Sequence, residues 1–417
     1  MTNSASQGRI DRRVFVAAGL LTIMFASLQV LTTTLNDLVR ERFGLSIEST
    51  SVFFQVGTLA SILMGLLVGL LSDRLGRRVP LIVAALALGG VTTAALPFMP
   101  TYNSLLVMRF VDSALGTVAI TLLMTRGVDL STVETRSRSM GVIMMGVPLG
   151  YLLGPLLAVW LGDYHLGWLF GVLGALQLAG AGYLAMEWSQ REEIIRLAPR
   201  WSELVVIVQN LPRTWMPMLF GMVDKFSFAA IALLTSIVLG EKAMGGLGVK
   251  GIAVVLAIYN VAFIVANPLA GRLVAVWGSR PTVIVASILY GVVLILLGSA
   301  DSVTSFTVLM GLAGALTSFQ FVPNMTLVGD LSGGAHRATV MSVFNMMGSL
   351  AMLAGFAILG RLSAKSHAAA YQLTGWMEIV CGVIGLVALL AFALRGRQRA
   401  VPLGTSGSGP VPAGRVS

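Results

Sequence analysis

Long runs of apolar residues, broken at intervals by short polar stretches, dominate the chain from end to end. Twelve of them are long enough to cross a hydrocarbon core of about 30 Å, which takes about 20 residues as a helix. They fall near 14–36, 49–72, 79–98, 103–125, 140–161, 166–187, 216–239, 251–274, 280–300, 303–327, 339–361 and 370–394. A membrane strand shows about ten residues of alternating polarity instead, so the continuous runs predict helices. The expected fold is an all-α membrane protein. The first run follows Arg12 and Arg13, but Asn36-Asp37 and eleven further spans come after it rather than a small-residue cleavage site. It is expected to stay in the mature protein.

The pattern is also duplicated. Gly69, Gly76 and Arg78 return as Gly271, Gly278 and Arg280, each 202 residues later, and Met144-Met145-Gly146 returns as Met346-Met347-Gly348. One residue out of step, Asp129-Leu130-Ser131 and Arg136 return as Asp330-Leu331-Ser332 and Arg337. Duplicated halves in a membrane protein place a transport path at the seam between them. The expected organisation is an amino-terminal segment 1–13, a six-helix bundle 14–187, a polar linker 188–213, a second bundle 214–395 and a Gly/Ser/Pro-rich tail 396–417, expected to be disordered. Glu192, Glu193 and Arg196 at helical spacing suggest a short surface helix in the linker, with Trp188 and Trp201 as interface anchors.

Composition agrees: 56% of residues are hydrophobic, 11% are charged, and the mean hydropathy is +0.87. The net charge of +10 changes the picture only through its distribution. Of 28 Lys and Arg residues, twenty fall in segments on the side of the termini, six in the alternate connections and two inside spans. The positive-inside rule then puts both termini in the cytoplasm. Dispersed over short loops, the basic residues form no nucleic-acid face. The single Cys381 has no disulfide partner, and His165, His336 and His367 lie in separate loops, so no metal or other cofactor is expected. Short loops suit the inner membrane of a bacterium.

Charges within spans are the leading site candidates, because hydrocarbon tolerates them only beside a partner or a wet cavity. Arg109 and Asp112 are three apart on helix 4 and share a face. Asp224 lies about nine residues, or about 13 Å, into helix 7, with Lys225 beside it in sequence. Adjacent helical residues do not face one another, so Lys225 is expected to meet a different partner. We read Arg109, Asp112, Asp224 and Lys225 as one proton-coupling network, against the alternative of a fixed salt-bridge cluster between the halves. A carboxylate there is protonated by desolvation and deprotonated by a nearby cation, two influences that a rocking motion exchanges. Glu378, placed near an end of helix 12, is read as interfacial or packing. Uncharged candidates for substrate contact are Gln29, Thr33, Gln55, Asn260, Gln320, Asn324 and Asn345, each also able simply to bond a neighbouring helix.

Twelve spans, a central polar linker and the string Gly69-Leu70-Leu71-Ser72-Asp73-Arg74-Leu75-Gly76-Arg77-Arg78 together resemble the major facilitator superfamily. The resemblance implies its fold of two pseudo-symmetric six-helix bundles, and implies that Asp73 with Arg74, Arg77 and Arg78 latches the halves in one conformation. The alternative is that these arginines only hold topology. The second copy has Ala275 and Val276 in place of Asp73 and Arg74, so a latch is expected on one side only. Asp129 with Arg136, and Asp330 with Arg337, are expected to act as gating links at the two related hinges. Arg109 resembles the basic residue of the family motif on helix 4, with Asp112 and Ser113 where Gln and Gly stand. On helix 5, Gly150-Tyr151-Leu152-Leu153-Gly154-Pro155 resembles the antiporter motif without its final glycine pair. Gly146, Gly150 and Gly154 at four-residue spacing also make a smooth packing face, and Pro155 adds a bend.

The function this implies is not enzymatic. It is proton-coupled export of a small amphiphilic molecule, such as a drug-like compound, metabolite or siderophore, by a monomer embedded in the lipid bilayer. The alternatives are import of a sugar or organic anion, and a non-transporting receptor or assembly factor of the same fold.

Overall fold

In the computed structural model the described residues are 11–75, 78–130, 136–161, 165–187, 201–241, 244–331 and 333–399. They form twelve long helices: α1 (Arg12–Thr33), α2 (Ile47–Leu75), α3 (Arg78–Ala95), α4 (Tyr102–Asp129), α5 (Arg136–Leu161), α6 (Leu166–Glu187), α7 (Trp201–Gly240), α8 (Val249–Trp277), α9 (Ser279–Gly298), α10 (Val303–Leu331), α11 (Gly333–Ser363) and α12 (His367–Arg399). No strand occurs among the described residues. Each helix contains a stretch apolar enough to span a membrane, within a few residues of the run that hydropathy predicts.

Three departures have physical reasons. Helix α7 starts at Trp201 and α12 reaches Arg399, because hydropathy reports the length immersed in lipid rather than the length that is helical. A π-helical turn, Asn36–Glu41, follows α1; it is too short and polar to leave a periodic signal. The expected surface helix around Glu192, Glu193 and Arg196 lies outside the described residues, as does the tail from 400 on.

Helix partners repeat between the halves. In the first half α1 packs on α5, α2 on α4 and α3 on α6; in the second, α7 packs on α11, α8 on α10 and α9 on α12. The seam is formed by α2 against α11 and α5 against α8, which the same two-fold relation exchanges. Glycine sets the α1–α5 distance. A Cβ on Gly146 would come 2.6 Å from the Ala18 carbonyl, on Gly150 2.5 Å from Phe25 Cβ, and on Gly154 2.7 Å from the Ala26 carbonyl. The small-residue face predicted on helix 5 is thus a close helix contact. Gly278 caps α8 at φ 86°, the left-handed conformation that glycine adopts without steric cost.

Even helix number brings the described chain ends to one face, here called proximal. At the opposite, distal end one core crosses the seam, joining Val30, Phe54, Leu105 and Leu169 to Ala229, Ile237 and Phe356. Towards the proximal face the core divides. Leu21, Val68, Leu86 and Leu122 pack within the first half, while Met216, Phe220 and Ile284 pack in the second. Large apolar side chains such as Val107, Val265, Val308 and Val387 are more than half exposed on the outside. In water that surface would be an aggregation hazard; in lipid it is solvated.

Candidate functional site

The four charged residues form two centres rather than one network. In the first half Arg109 and Asp112 pair across one helical turn of α4, Nη1 to Oδ2, at 3.1 Å. Asp112 is turned toward α3, where the Thr93 hydroxyl donates to it at 2.7 Å and that of Thr92 at 3.3 Å. Arg109 is turned toward α2, its guanidinium 5.3 Å from the Phe53 ring centroid. Gly57 leaves the room it needs: a Cβ there would lie 2.7 Å from Arg109 Nε. Both charges are spent inside the first bundle, on each other and on α2 and α3 neighbours that spacing along one helix cannot specify.

The second centre lies on α7. Asp224 and Lys225 diverge as adjacent helical residues must. The Lys225 stem lies against Gly348 of α11, where an added Cβ would meet its Cγ at 2.9 Å, and Nζ sits 5.7 Å from the Phe228 ring centroid. Asp224, half-buried, lies within electrostatic reach of Lys225, Tyr151, Tyr259, Tyr290 and Glu378. Tyr151 belongs to α5 of the other half. Its ring contacts Phe25 of α1 at 5.4 Å and Phe228 of α7 at 6.1 Å between centroids. An aromatic bridge therefore crosses the seam beside Asp224.

Glu378 requires a correction. It lies near the middle of the apolar stretch His367–Ala391, not near a helix end, and is 1% exposed. Three helices supply donors to its carboxylate: Ser227 of α7 at 2.6 Å, Ser287 of α9 at 2.6 Å and Gln320 of α10 at 2.8 Å. Ser227 is one turn from Asp224, so one face of α7 serves both acids. An acid eleven residues into a span carries the site signal by itself.

The uncharged candidates are divided. Gln320 joins the Glu378 cluster. Thr33 donates to the Gln29 carbonyl at 3.0 Å, and both side chains are buried. Asn260 donates to the Leu256 carbonyl at 2.8 Å. Asn324 is buried where its amide, suitably turned, reaches the Pro217 carbonyl and the Gly221 N–H. Gln55 donates to Ser51 at 3.0 Å, and Asn345 is exposed on α11. The side chains of Asp73, Arg74, Asp129, Arg136, Asp330 and Arg337, and Gly69, Gly76 and Arg77, lie outside what the structure describes; Arg78 begins α3.

At the distal end the halves are joined by polar contacts. Glu241, after α7, meets Arg40 of the π-helical turn at 3.4 Å and His367 of α12 at 3.0 Å. Glu48 meets Arg361 at 3.0 Å. Beneath them Phe54 and Phe356 stack at 4.9 Å. Asp37, in the same turn, has its carboxyl held above the usual range by burial and then by the Glu41 charge, with Asn36 opposing.

Comparisons with known proteins agree with this architecture. A nucleoside transporter structure, NupG, superposes with a TM-score of 0.71 at 13% identity, covering 90% of this chain and 99% of that one. A D-xylose-proton symporter gives 0.72 at 14%, covering 89% and 96%. An inward-facing, unoccupied bacterial homologue of the human lysosomal transporter Spinster gives 0.70 at 16%, covering 94% and 98%. At such identities the likeness is one of fold. In sequence, the multidrug transporter protein MdtP of Bacillus subtilis (strain 168) is 26% identical over 136 residues, 33% of this chain. That match spans about a quarter (24%) of the relative's length. The family model of the Major Facilitator Superfamily matches residues 15–248 and 218–416, and with its twelve helices in two related halves the chain belongs to that superfamily of membrane transporters.

Proposed function

We propose that this carrier exports a small amphiphilic molecule across the bacterial inner membrane in exchange for protons, and that Asp224 is the coupling carboxylate. The observation that carries the reading is the position of Asp224: mid-span on α7, half-buried, beside the seam-crossing Phe25–Tyr151–Phe228 bridge. A rocking motion of the halves changes the surroundings of an acid placed there. By contrast Arg109 and Asp112 are mutually paired within one bundle, so we assign them to holding α2, α3 and α4 together. The core that closes the distal end and divides proximally supports an inward-open state, taking the proximal face as cytoplasmic from its excess of Arg and Lys. The glycine face of α5 supports exchange less directly, since its geometry is accounted for by packing on α1. Export rests on the local likeness to a multidrug transporter.

The test is proton movement in proteoliposomes under an imposed pH gradient, with a panel of dyes, drugs and siderophores. Substrate-dependent proton flux opposite to substrate, abolished in Asp224→Asn, is the expected result. Flux in the same direction as substrate would establish import instead. Coupling that survives Asp224→Asn would remove Asp224 from the mechanism.

A further inference from the structure

Glu378 is a buried acid with no basic partner. Among the described residues no Lys, Arg or His forms an ion pair with it. The titratable groups within its electrostatic reach are Asp224 on α7, Tyr290 on α9 and Cys381 on α12 itself. The α10 span and α11 from Val343 to Gly360 carry no titratable residue. Hydrogen bonds alone therefore hold the carboxyl, and they can be rearranged to serve either protonation state. The Ser287 Oγ lies 2.6 Å from Glu378 Oε2 and 3.0 Å from the Glu378 carbonyl oxygen, yet a serine hydroxyl has one hydrogen. With Glu378 charged, that hydrogen points to Oε2. With Glu378 neutral, it turns to the carbonyl and Ser287 Oγ accepts from Oε2–H, while no heavy atom moves. Gln320 leaves Oε1 buried and unpaired, a second acceptor available to the neutral acid by rotation of its amide.

Tyr290 is 1% exposed and lies within electrostatic reach of both Asp224 and Glu378, its hydroxyl bonded to Thr317 and Tyr259. Beside it the Tyr259 hydroxyl lies 3.0 Å from that of Thr317. We infer that Glu378 is a second proton-binding carboxylate of the carrier, coupled by like charge to Asp224, which stands one turn from the Glu378 donor Ser227 on α7. Like charges within reach disfavour each other's ionisation, which couples Glu378 to Asp224, whose own electrostatic neighbours include Lys225. The role of Asp224 in this scheme rests on the proposed function; the titration of Glu378 does not.

The experiment is infrared difference spectroscopy of the purified full chain in nanodiscs, titrating pH and following the C=O stretch of protonated carboxyls. A titrating band should be lost in Glu378→Gln. Its midpoint should move to lower pH in Asp224→Asn, where a like charge is gone, and to higher pH in Ser227→Ala, where a donor to the charged form is gone. A spectrum unchanged in Glu378→Gln would overturn the proposal. If Glu378→Gln fails to fold, the other two variants decide: both keep the carboxyl, and a midpoint unmoved in Asp224→Asn or in Ser227→Ala overturns the proposal. No substrate enters this measurement. A titrating Glu378 in a protein that moves none of the panel would refute the export reading alone.

Discussion

At the scale of single residues, what a side chain faces decides its role more than its charge does. Arg109 and Asp112 were legible as a pair because residues three apart share a helix face, but that α3 and α2 complete their shells was not, since no local pattern encodes which helices adjoin. Removing one member of such a buried pair leaves the other charge unpaired, at a cost of about 3–5 kcal/mol. We expect Asp112→Leu to lower unfolding stability in detergent by that order, and Arg109→Met with Asp112→Leu to cost less than Asp112→Leu alone. Additive losses would show that the two do not act as a unit. Asp37 makes a pH prediction of definite sign. Its folded carboxyl is raised above the usual range, so folding favours its neutral form. That contribution is fully present below the unfolded value of about 3.9 and is lost as pH rises through the folded value. Asp37→Asn should therefore match the wild type in thermal midpoint near pH 4 and exceed it at pH 7. A difference that does not change with pH would contradict this.

At the scale of elements, hydropathy placed twelve helices to within a few residues because lipid imposes one length on all of them. It was silent about the added turns of α7 and α12 and about Asn36–Glu41, which are too polar or too short to register as spans. The same limit applies to Glu378: its depth in a span was readable, but the convergence of Ser227, Ser287 and Gln320 from three other helices was not. The glycines of α5 were readable as a face but not as a contact with α1. That contact makes a prediction with an internal control. Gly150→Ala puts a Cβ 2.5 Å from Phe25 Cβ and 2.6 Å from the Thr22 carbonyl. Both lie on the closely packed α1, so the helices must separate, at a cost of about 1–3 kcal/mol. Gly171→Ala in α6 meets nothing within 4 Å, and alanine's better helix propensity should stabilise by up to about 1 kcal/mol. Thermal midpoints moving in opposite directions are expected. Equal shifts would show that backbone entropy, not the α1–α5 approach, governs both sites.

At the scale of the whole molecule, the duplication readable in Gly69, Gly76 and Arg78 against Gly271, Gly278 and Arg280 predicts two related bundles but not which end of the seam is closed. Closure is a balance between conformations that one sequence must allow. The distal contacts differ in weight. Arg361 and Glu48 are 76% and 54% exposed, and such a pair contributes a few tenths of a kcal/mol. Glu241 is 31% exposed and meets Arg40 across the seam while His367 of its own half holds it in place, so its removal should cost the closed state about 1 kcal/mol, or roughly fivefold in the closed-to-open ratio. Ser51 reports that ratio, being 1% exposed and seated against Gly360 of α11. In a Cys381→Ser background, Ser51→Cys should react slowly with a membrane-impermeant thiol reagent applied from the distal side. Adding Glu241→Gln should raise that rate roughly fivefold, whereas adding Glu48→Gln should change it by less than about twofold. The reverse ranking would place the weight of the distal closure on its exposed rim, and no change in either would leave it to the shared apolar core around Phe54 and Phe356.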